Sequence, residues 1–333
     1  MREQIRLYAP GAYTYPMSGS FVPNLVPYLH TEDDTVRPAM IVVPGGGYAV
    51  VSPTEGEIVA ERFYEAGYQC FVLTYTTDMM QVQPVGRQAL EDISRAVRMV
   101  RLRAAEWHID PGKVACCGFS AGAHVVASLA VHGAEQAPET KETAEIRNRP
   151  DAVVLSYPVI TSGQYAHRDS FKLLLGEHPT EEALDWASLE KHVTKDCPPA
   201  FLWQTLDDEL VPVENSILYT RACREAGVPC ELHLFRSGKH GLSLANARWA
   251  AGDFGEDSSY TMEQTWQTMR ALSEKNPKAI PAFLAKAAAA ESAKDFNREF
   301  DLAITGGTLP QNHPVPAVAK WTDLALAFLA AVL

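Results

Sequence analysis

The stretch Val114-Ala115-Cys116-Cys117-Gly118-Phe119-Ser120-Ala121-Gly122-Ala123-His124 runs from a continuous apolar segment into one hydroxyl set between glycines and small residues. Glycine tolerates backbone angles and close approaches that a side chain forbids, so the plain reading is a tight strand-to-helix turn. The sharper reading is G-x-S-x-G, a nucleophile elbow, in which Gly118 and Gly122 let the chain reverse so closely that Ser120 projects from the top of a sheet. So short a pattern also arises by chance. Its partners elsewhere in the chain decide between the two.

Five further runs rich in β-branched and aromatic residues, at 40–43, 70–75, 152–157, 200–204 and 230–235, match the strand-like run at 114–117. Helical patterns lie between several of them. Ala89, Ile93, Ala96, Val97, Val100 and Ala104 recur at the period of an amphipathic helix, which Asp110-Pro111-Gly112 closes. Apolar strands alternating with helices predict an α/β fold with a mostly parallel sheet covered on both faces. In such a sheet the loops at the carboxyl ends of the strands carry the chemistry.

No fixed-period repeat or Gly/Ser-rich linker interrupts the first 245 residues, so residues 1–248 are expected to form one domain, completed by an amphipathic helix in 317–333. Residues 249–316 change character, with an acidic stretch at 253–257 and an alanine run at 287–290. Met262, Trp266, Met269 and Leu272 form a stripe at helical spacing, and Phe283, Leu284, Phe296 and Phe300 add apolar surface beyond it. This segment is expected to be a helical insertion. Two roles are open to it: a cap over the mouth of the site, or a contact surface for a homo-oligomer.

The chain has 333 residues, 47% of them hydrophobic, which supplies ample core for a large domain. A formal charge of -12 without a block of consecutive Lys or Arg argues against nucleic-acid or anionic-membrane partners. Arg95, Arg98, Arg101 and Arg103 interleave with apolar residues at helical spacing and read as a solvated helix face. Met1-Arg2-Glu3-Gln4 lacks the apolar core of a secretory signal, and the longest apolar run, near 324–333, is too short to span a bilayer. A cytoplasmic location is therefore expected. The six cysteines do not make a disulfide framework, and Cys70, Cys116 and Cys117 read as buried strand thiols. Neither C-x-x-C nor H-E-x-x-H occurs, so no metal site is expected.

A serine hydroxyl needs a base to become a nucleophile, and the base needs an orienting acid. Thr205-Leu206-Asp207-Asp208-Glu209-Leu210-Val211-Pro212 follows the predicted strand at 200–204, and Arg236-Ser237-Gly238-Lys239-His240-Gly241 follows that at 230–235. Ser120, Asp208 and His240 thus stand at strand ends in the order found in one class of serine hydrolases. Asp208 is preferred to Asp207 because Asp-x-x-Val-Pro fits the acid turn of such enzymes, while Glu209 reads as a surface charge. The oxyanion needs donors. The glycines of Pro44-Gly45-Gly46-Gly47-Tyr48 and the amide of Ala121 supply candidates, with Gly46 or Gly47 as the second donor. A phosphate-binding reading of that loop fails because G-x-G-x-x-G is absent and neither Lys nor Ser/Thr follows.

Taken together, these residues resemble the α/β-hydrolase superfamily, and within it the short-acyl carbohydrate esterases related to acetyl xylan esterases and feruloyl esterases. The resemblance rests on Pro44-Gly45-Gly46-Gly47-Tyr48, Gly118-Phe119-Ser120-Ala121-Gly122, Tyr165-Ala166-His167-Arg168, Leu173-Leu174-Leu175-Gly176, the run from Asp208 to Ser216, and His240-Gly241. It implies the α/β-hydrolase fold and hydrolysis of carboxylic esters, commonly acetyl groups on sugars or xylan fragments, without a cofactor. The partner implied is a small-molecule or oligosaccharide ester. Ser120, Asp208 and His240 carry over as the triad, with Gly46, Gly47 and Ala121 as oxyanion donors. Pro44 departs from the pattern, since many relatives carry histidine there. Tyr48, Tyr157 and His167 are candidates to line the substrate pocket, whereas Trp203 and His124 read as packing. Two alternatives remain beside the esterase: a peptidase of prolyl-oligopeptidase type, which would have a propeller-like repeat before the domain, and a catalytically silent hydrolase fold that binds a ligand.

Overall fold

The computed structural model describes residues 3–16, 21–78, 83–256, 259–275, 280, 282–304 and 312–333. Among them, eight strands form one sheet: β1 Ile5–Arg6, β2 Asn24–Tyr28, β3 Arg37–Val43, β4 Gln69–Thr74, β5 Ile109–Phe119, β6 Ala152–Ser156, β7 Ala200–Thr205 and β8 Cys230–Phe235. Their order is β1-β2-β4-β3-β5-β6-β7-β8, and β3 to β8 run parallel while β1 and β2 are antiparallel at one edge. All six predicted strands are present. β1 and β2 were not expected: they are short, and β2 carries Asn24 and Pro27, residues that weaken a strand signal. β5 begins at Ile109, upstream of the Asp110-Pro111-Gly112 sequence that reads as a turn.

Side-chain alternation in the central strands divides the core into two layers. Ala39, Ile41 and Val43 of β3, with Val114 and Cys116 of β5, pack beneath helices α2 (Gln88–Leu102) and α3 (Ala121–His132). On the opposite face Met40, Val42, Ala115 and Cys117 pack against α1 (Glu57–Glu65) and the closing helix Trp321–Val332. Because both faces are covered, the strands read as continuous apolar runs rather than as an alternation. Trp203 lies wholly inside the second layer, stacked on Trp321 at 5.3 Å, with its indole N–H donated to Ser156 Oγ at 2.7 Å.

The arginines of α2 correct the expectation of a solvated face. Arg98 donates to Glu139 Oε1 at 2.7 Å and to the carbonyls of Gln136, Ala137 and Ile146. Arg101 reaches Asp151 at 2.7 Å and the carbonyls of Pro111, Arg147 and Arg149. These guanidinium groups satisfy backbone carbonyls of the loop that feeds β6, and Arg101 also reaches that of Pro111 in β5. Helical spacing alone cannot register such distant acceptors.

After His240 the chain enters helices at Ala247–Ala250, Ser259–Lys275, Ala285–Ala288 and Ala293–Ile304. Within this segment Met269, Leu284, Ala287, Phe296 and Phe300 form a separate apolar cluster, and Val50, from the loop after β3, is buried with them. The Trp266 indole donates to the Ala290 carbonyl at 3.1 Å and ties the first long helix to the turn beyond Ala285–Ala288. The side chains of Met262, Leu272 and Phe283 lie outside the described set. No described helix is long and apolar enough to cross a membrane.

Candidate active site

The Ser120 backbone adopts φ 50° and ψ −120°, a conformation unusual for a residue with a side chain. It is held there by close packing. A Cβ at Gly118 would lie 2.6 Å from Ala123 Cα, and one at Gly122 would lie 2.2 Å from the Val43 carbonyl oxygen. Only glycine lets β5, α3 and the end of β3 approach this closely, and the hydroxyl is thereby lifted to the carboxyl end of the sheet. Ser120 N–H donates to the Ser156 carbonyl at 3.0 Å, extending the β5–β6 ladder into the turn.

Asp208, Ser120 and His240 come together although the first two lie 88 positions apart in the sequence. His240 Nε2 is 2.8 Å from Ser120 Oγ and its Nδ1 is 2.8 Å from Asp208 Oδ2. The side chains of His240 and Asp208 are 11% and 1% exposed. Asp208 Oδ1 accepts the amides of Leu210 at 3.0 Å and Val211 at 2.9 Å, while Oδ2 faces the imidazole and also accepts the Gln204 side-chain amide at 3.4 Å. Asp207 points elsewhere: its carboxylate accepts Ser237 Oγ–H at 2.5 Å and the Gly238 N–H at 2.7 Å. Those two bonds hold its pKa below the usual carboxylate value and fasten the turn that carries His240. Glu209 is exposed, as expected of a surface charge, yet its carboxylate also accepts the His240 N–H at 3.2 Å.

Above Ser120 lies the glycine loop. Gly46 has φ 118° and Gly47 φ 66°, and the Gly46 carbonyl accepts the amides of Ala49 and Val50. The amides of Gly46, Gly47 and Ala121 donate to no acceptor among the described residues. Ala121 opens α3, where unpaired N–H groups and the helix dipole favour negative charge. The Tyr75 hydroxyl donates to the Pro44 carbonyl at 2.9 Å, and Glu55 Oε2 accepts the Gly45 N–H at 2.7 Å. Sequence reasoning missed Glu55, whose only local signal is a charge after Ser52-Pro53-Thr54.

The three pocket candidates separate. The Tyr48 side chain is 2% exposed and is engaged with His124, whose Nδ1 lies 2.7 Å from its hydroxyl. His124 Nε2 faces the Ala187 carbonyl at 3.0 Å and therefore carries the proton, leaving Nδ1 to accept from Tyr48. Burial pushes the His124 pKa down to about 4, which keeps the ring neutral and the arrangement intact. Tyr157 is equally buried, its hydroxyl donated to Glu55 Oε1 at 2.6 Å. These phenols are therefore packed into the body of the domain. Burial of a side chain in the loop that follows a strand has no local signature in the sequence.

His167 is half-buried at the start of the helix Arg168–Leu175, with Nδ1 2.8 Å from Ser170 Oγ. That hydroxyl lies 3.8 Å from where a Cβ on Gly47 would sit, so Ser170 borders the glycine loop and carries His167 beside it. Burial, and then the nearby His240, lower the His167 pKa. Asn215 holds this rim in place by accepting the amides of Ile160 and Thr161 and donating to the Tyr165 carbonyl. Among the described residues no group of His, Cys, Asp and Glu is arranged to hold a metal ion.

The fold is that of an α/β-hydrolase, a mostly parallel eight-stranded sheet among the described residues with helices on both faces. The chain belongs to the BD-FAE family, whose model its residues 27–222 match. It is 47% identical over 266 residues to endo-1,4-beta-xylanase B of Butyrivibrio fibrisolvens, covering 80% of this chain and 41% of that protein. It is 33% identical over 221 residues to the acetylxylan esterase of Xylanibacter ruminicola, covering 62% of this chain and 41% of that one. The chain thus spans about two fifths of the length of these curated relatives. Among solved structures, the acetyl ester-xyloside bifunctional hydrolase of Caldicellulosiruptor lactoaceticus superposes with a TM-score of 0.68 at 34% identity, covering 84% of this chain and 97% of that one.

Replacing the Tyr48 hydroxyl tests the assignment of that side chain to the interior. Tyr48→Phe leaves His124 Nδ1 with only the Ser128 hydroxyl at 3.4 Å, a poorer donor. We expect a loss of about 1–2 kcal/mol of unfolding free energy in a urea titration, the cost of a buried acceptor left short of its partner. No measurable loss would contradict the anchoring role.

Proposed function

We propose that this chain hydrolyses short acyl esters, chiefly acetyl groups on sugars or xylan fragments, through an acyl-enzyme on Ser120. The observation that carries the reading is the continuous path Ser120 Oγ, His240, Asp208, with both links at 2.8 Å, set beneath the unpaired amides of Gly46, Gly47 and Ala121. With Nδ1–H donated to Asp208, His240 presents a bare Nε2 to the serine hydroxyl. As Ser120 Oγ bonds to the ester carbonyl carbon, its proton passes to Nε2 and the carbonyl oxygen becomes an oxyanion within reach of the amides. Collapse breaks the bond to the alcohol, which leaves with the proton from His240. A water molecule then gives its proton to Nε2 and attacks the acyl carbon, and release of the acid returns the proton to Ser120. Asp208 holds the ring and balances the charge it gains. The acetyl and sugar preferences are supported by the names of the relatives and of the solved neighbour.

The reading is tested by a panel of aryl esters from acetate to octanoate beside acetylated xylo-oligosaccharides, with Ser120→Ala as the blank. Acetate should turn over fastest, the oligosaccharides should be deacetylated, and the blank should be inactive. Octanoate turning over faster than acetate would remove the short-acyl assignment, and full activity in Ser120→Ala would remove the serine mechanism. Asp208→Asn is expected to lower kcat by about 10⁴-fold, the loss seen when a triad carboxylate can no longer fix the tautomer. Asp207→Asn should act on stability instead, because its bonds go to the 237–238 turn.

We also assign residues 249–316 the role of a cap. What supports this is Val50: it follows the donor glycines in the loop after β3, and it is buried with Met269, Phe296 and Phe300. Replacing residues 255–307 with a short Gly/Ser linker should therefore raise activity on bulky esters relative to aryl acetates. Unchanged selectivity with a shift in oligomeric mass would mark the segment as an assembly surface.

A further inference from the structure

Asp208 completes the triad, yet a second buried carboxylate stands close by without a task. Glu55 ends the short turn Pro53–Glu55 and is 4% exposed. Its Oε2 accepts the Gly45 N–H at 2.7 Å and its Oε1 accepts the Tyr157 O–H at 2.6 Å. Both oxygens meet donors. That fits a carboxylate that accepts on both sides. Burial raises the Glu55 pKa and outweighs the Tyr157 hydroxyl, the Gly45 amide and the nearby His240, which pull it down.

The two bonds lead to different halves of the site. Gly45 is wedged beside the nucleophile: a Cβ there would lie 2.9 Å from Ser120 Cβ and 2.7 Å from the Phe119 carbonyl oxygen. It also opens the run that carries the Gly46 and Gly47 amides. On the other side, the Tyr157 ring packs edge-on against His240 with centroids 4.8 Å apart. Its oxygen accepts the Ser243 N–H at 3.0 Å, in the loop just past His240. Ser243 Oγ–H donates to the Thr54 carbonyl at 2.6 Å, which closes a ring of bonds back to the turn that carries Glu55.

We infer that Glu55 is a positioning residue for ester hydrolysis, bridging the glycine loop and the histidine loop so that the oxyanion donors and the base keep one register. The inference rests on the serine-esterase reading above. Glu55 does not reach the substrate; it acts through Gly45 and Tyr157. Glutamine at this position would turn an N–H toward one of the two donors, so shape alone cannot replace the carboxylate.

The test compares Glu55→Gln and Tyr157→Phe with the wild type in the full chain. Two quantities are read: kcat and KM on an aryl acetate, and affinity for a short alkyl boronic acid, which imitates the tetrahedral oxyanion. If wild-type turnover does not depend on Ser120, the esterase reading falls first and this inference falls with it. Given that dependence, Glu55→Gln should remain folded and lose about 10²-fold in kcat, the effect of displacing catalytic groups by about 1 Å. KM should stay within about two-fold, and boronic acid affinity should fall in parallel with kcat. Tyr157→Phe keeps the ring and removes one hydroxyl, so a loss of about 10-fold in kcat is expected, and the double variant should be no worse than Glu55→Gln. Should Glu55→Gln fail to fold, Tyr157→Phe decides alone. A folded variant of either residue with kcat within about two-fold of the wild type, or a loss confined to KM, overturns the inference.

Discussion

Everything at the carboxyl end of this sheet depends on one strained residue. Ser120 sits at φ 50°, a backbone state that costs of order 1–3 kcal/mol and persists only where its surroundings over-determine it. Here they do. Gly122 lets the carbonyls of Val43 and Pro44 come against α3, Gly118 lets α3 fold back on β5, and the Ser120 amide is tied to Ser156. The same contacts that lift the hydroxyl also bring the start of the glycine loop to within van der Waals reach of it. The position of the Ser120 hydroxyl and that of the glycine loop are thus products of one packing arrangement rather than of two independent ones.

A second layer of fixed geometry surrounds that arrangement. Asp207 and Glu209 anchor the backbone around His240, Asp208 holds its ring, and the phenols of Tyr48, Tyr75 and Tyr157 brace the loops from within the body. In a buried setting each of these hydrogen bonds matters most through the cost of leaving its partner unsatisfied. The site is therefore rigid on the side of the sheet. His167, bonded to Ser170, and the segment that buries Val50 adjoin the glycine loop from other parts of the chain.

Much of this was legible in the sequence because it is local. Continuous apolar runs betray strands covered on both faces, and glycines on either side of Ser120 betray a turn that tolerates no side chain. Ser120, Asp208 and His240 each follow a strand, and their order points to one topology. What stayed hidden is nonlocal. Glu55 and Tyr157 are 102 residues apart and meet only through the sheet. Tyr48 reads as a pocket residue because it adjoins Gly46 and Gly47, but a left-handed backbone at φ 65° accompanies a side chain turned inward onto His124. Arg98 and Arg101 read as a solvated face because their carbonyl acceptors lie in a loop about 40 residues further on. Long polar side chains reach partners that periodicity cannot anticipate.

The central claim is that Ser120 is a nucleophile made reactive by His240. It is tested most directly by exposing the folded protein to a fluorophosphonate and mapping the adduct by peptide mass spectrometry. The account predicts a single adduct on Ser120 in the wild type, and a rate of labelling that collapses in a folded His240→Ala variant. Labelling of another residue, or labelling of Ser120 at the same rate without His240, would contradict it.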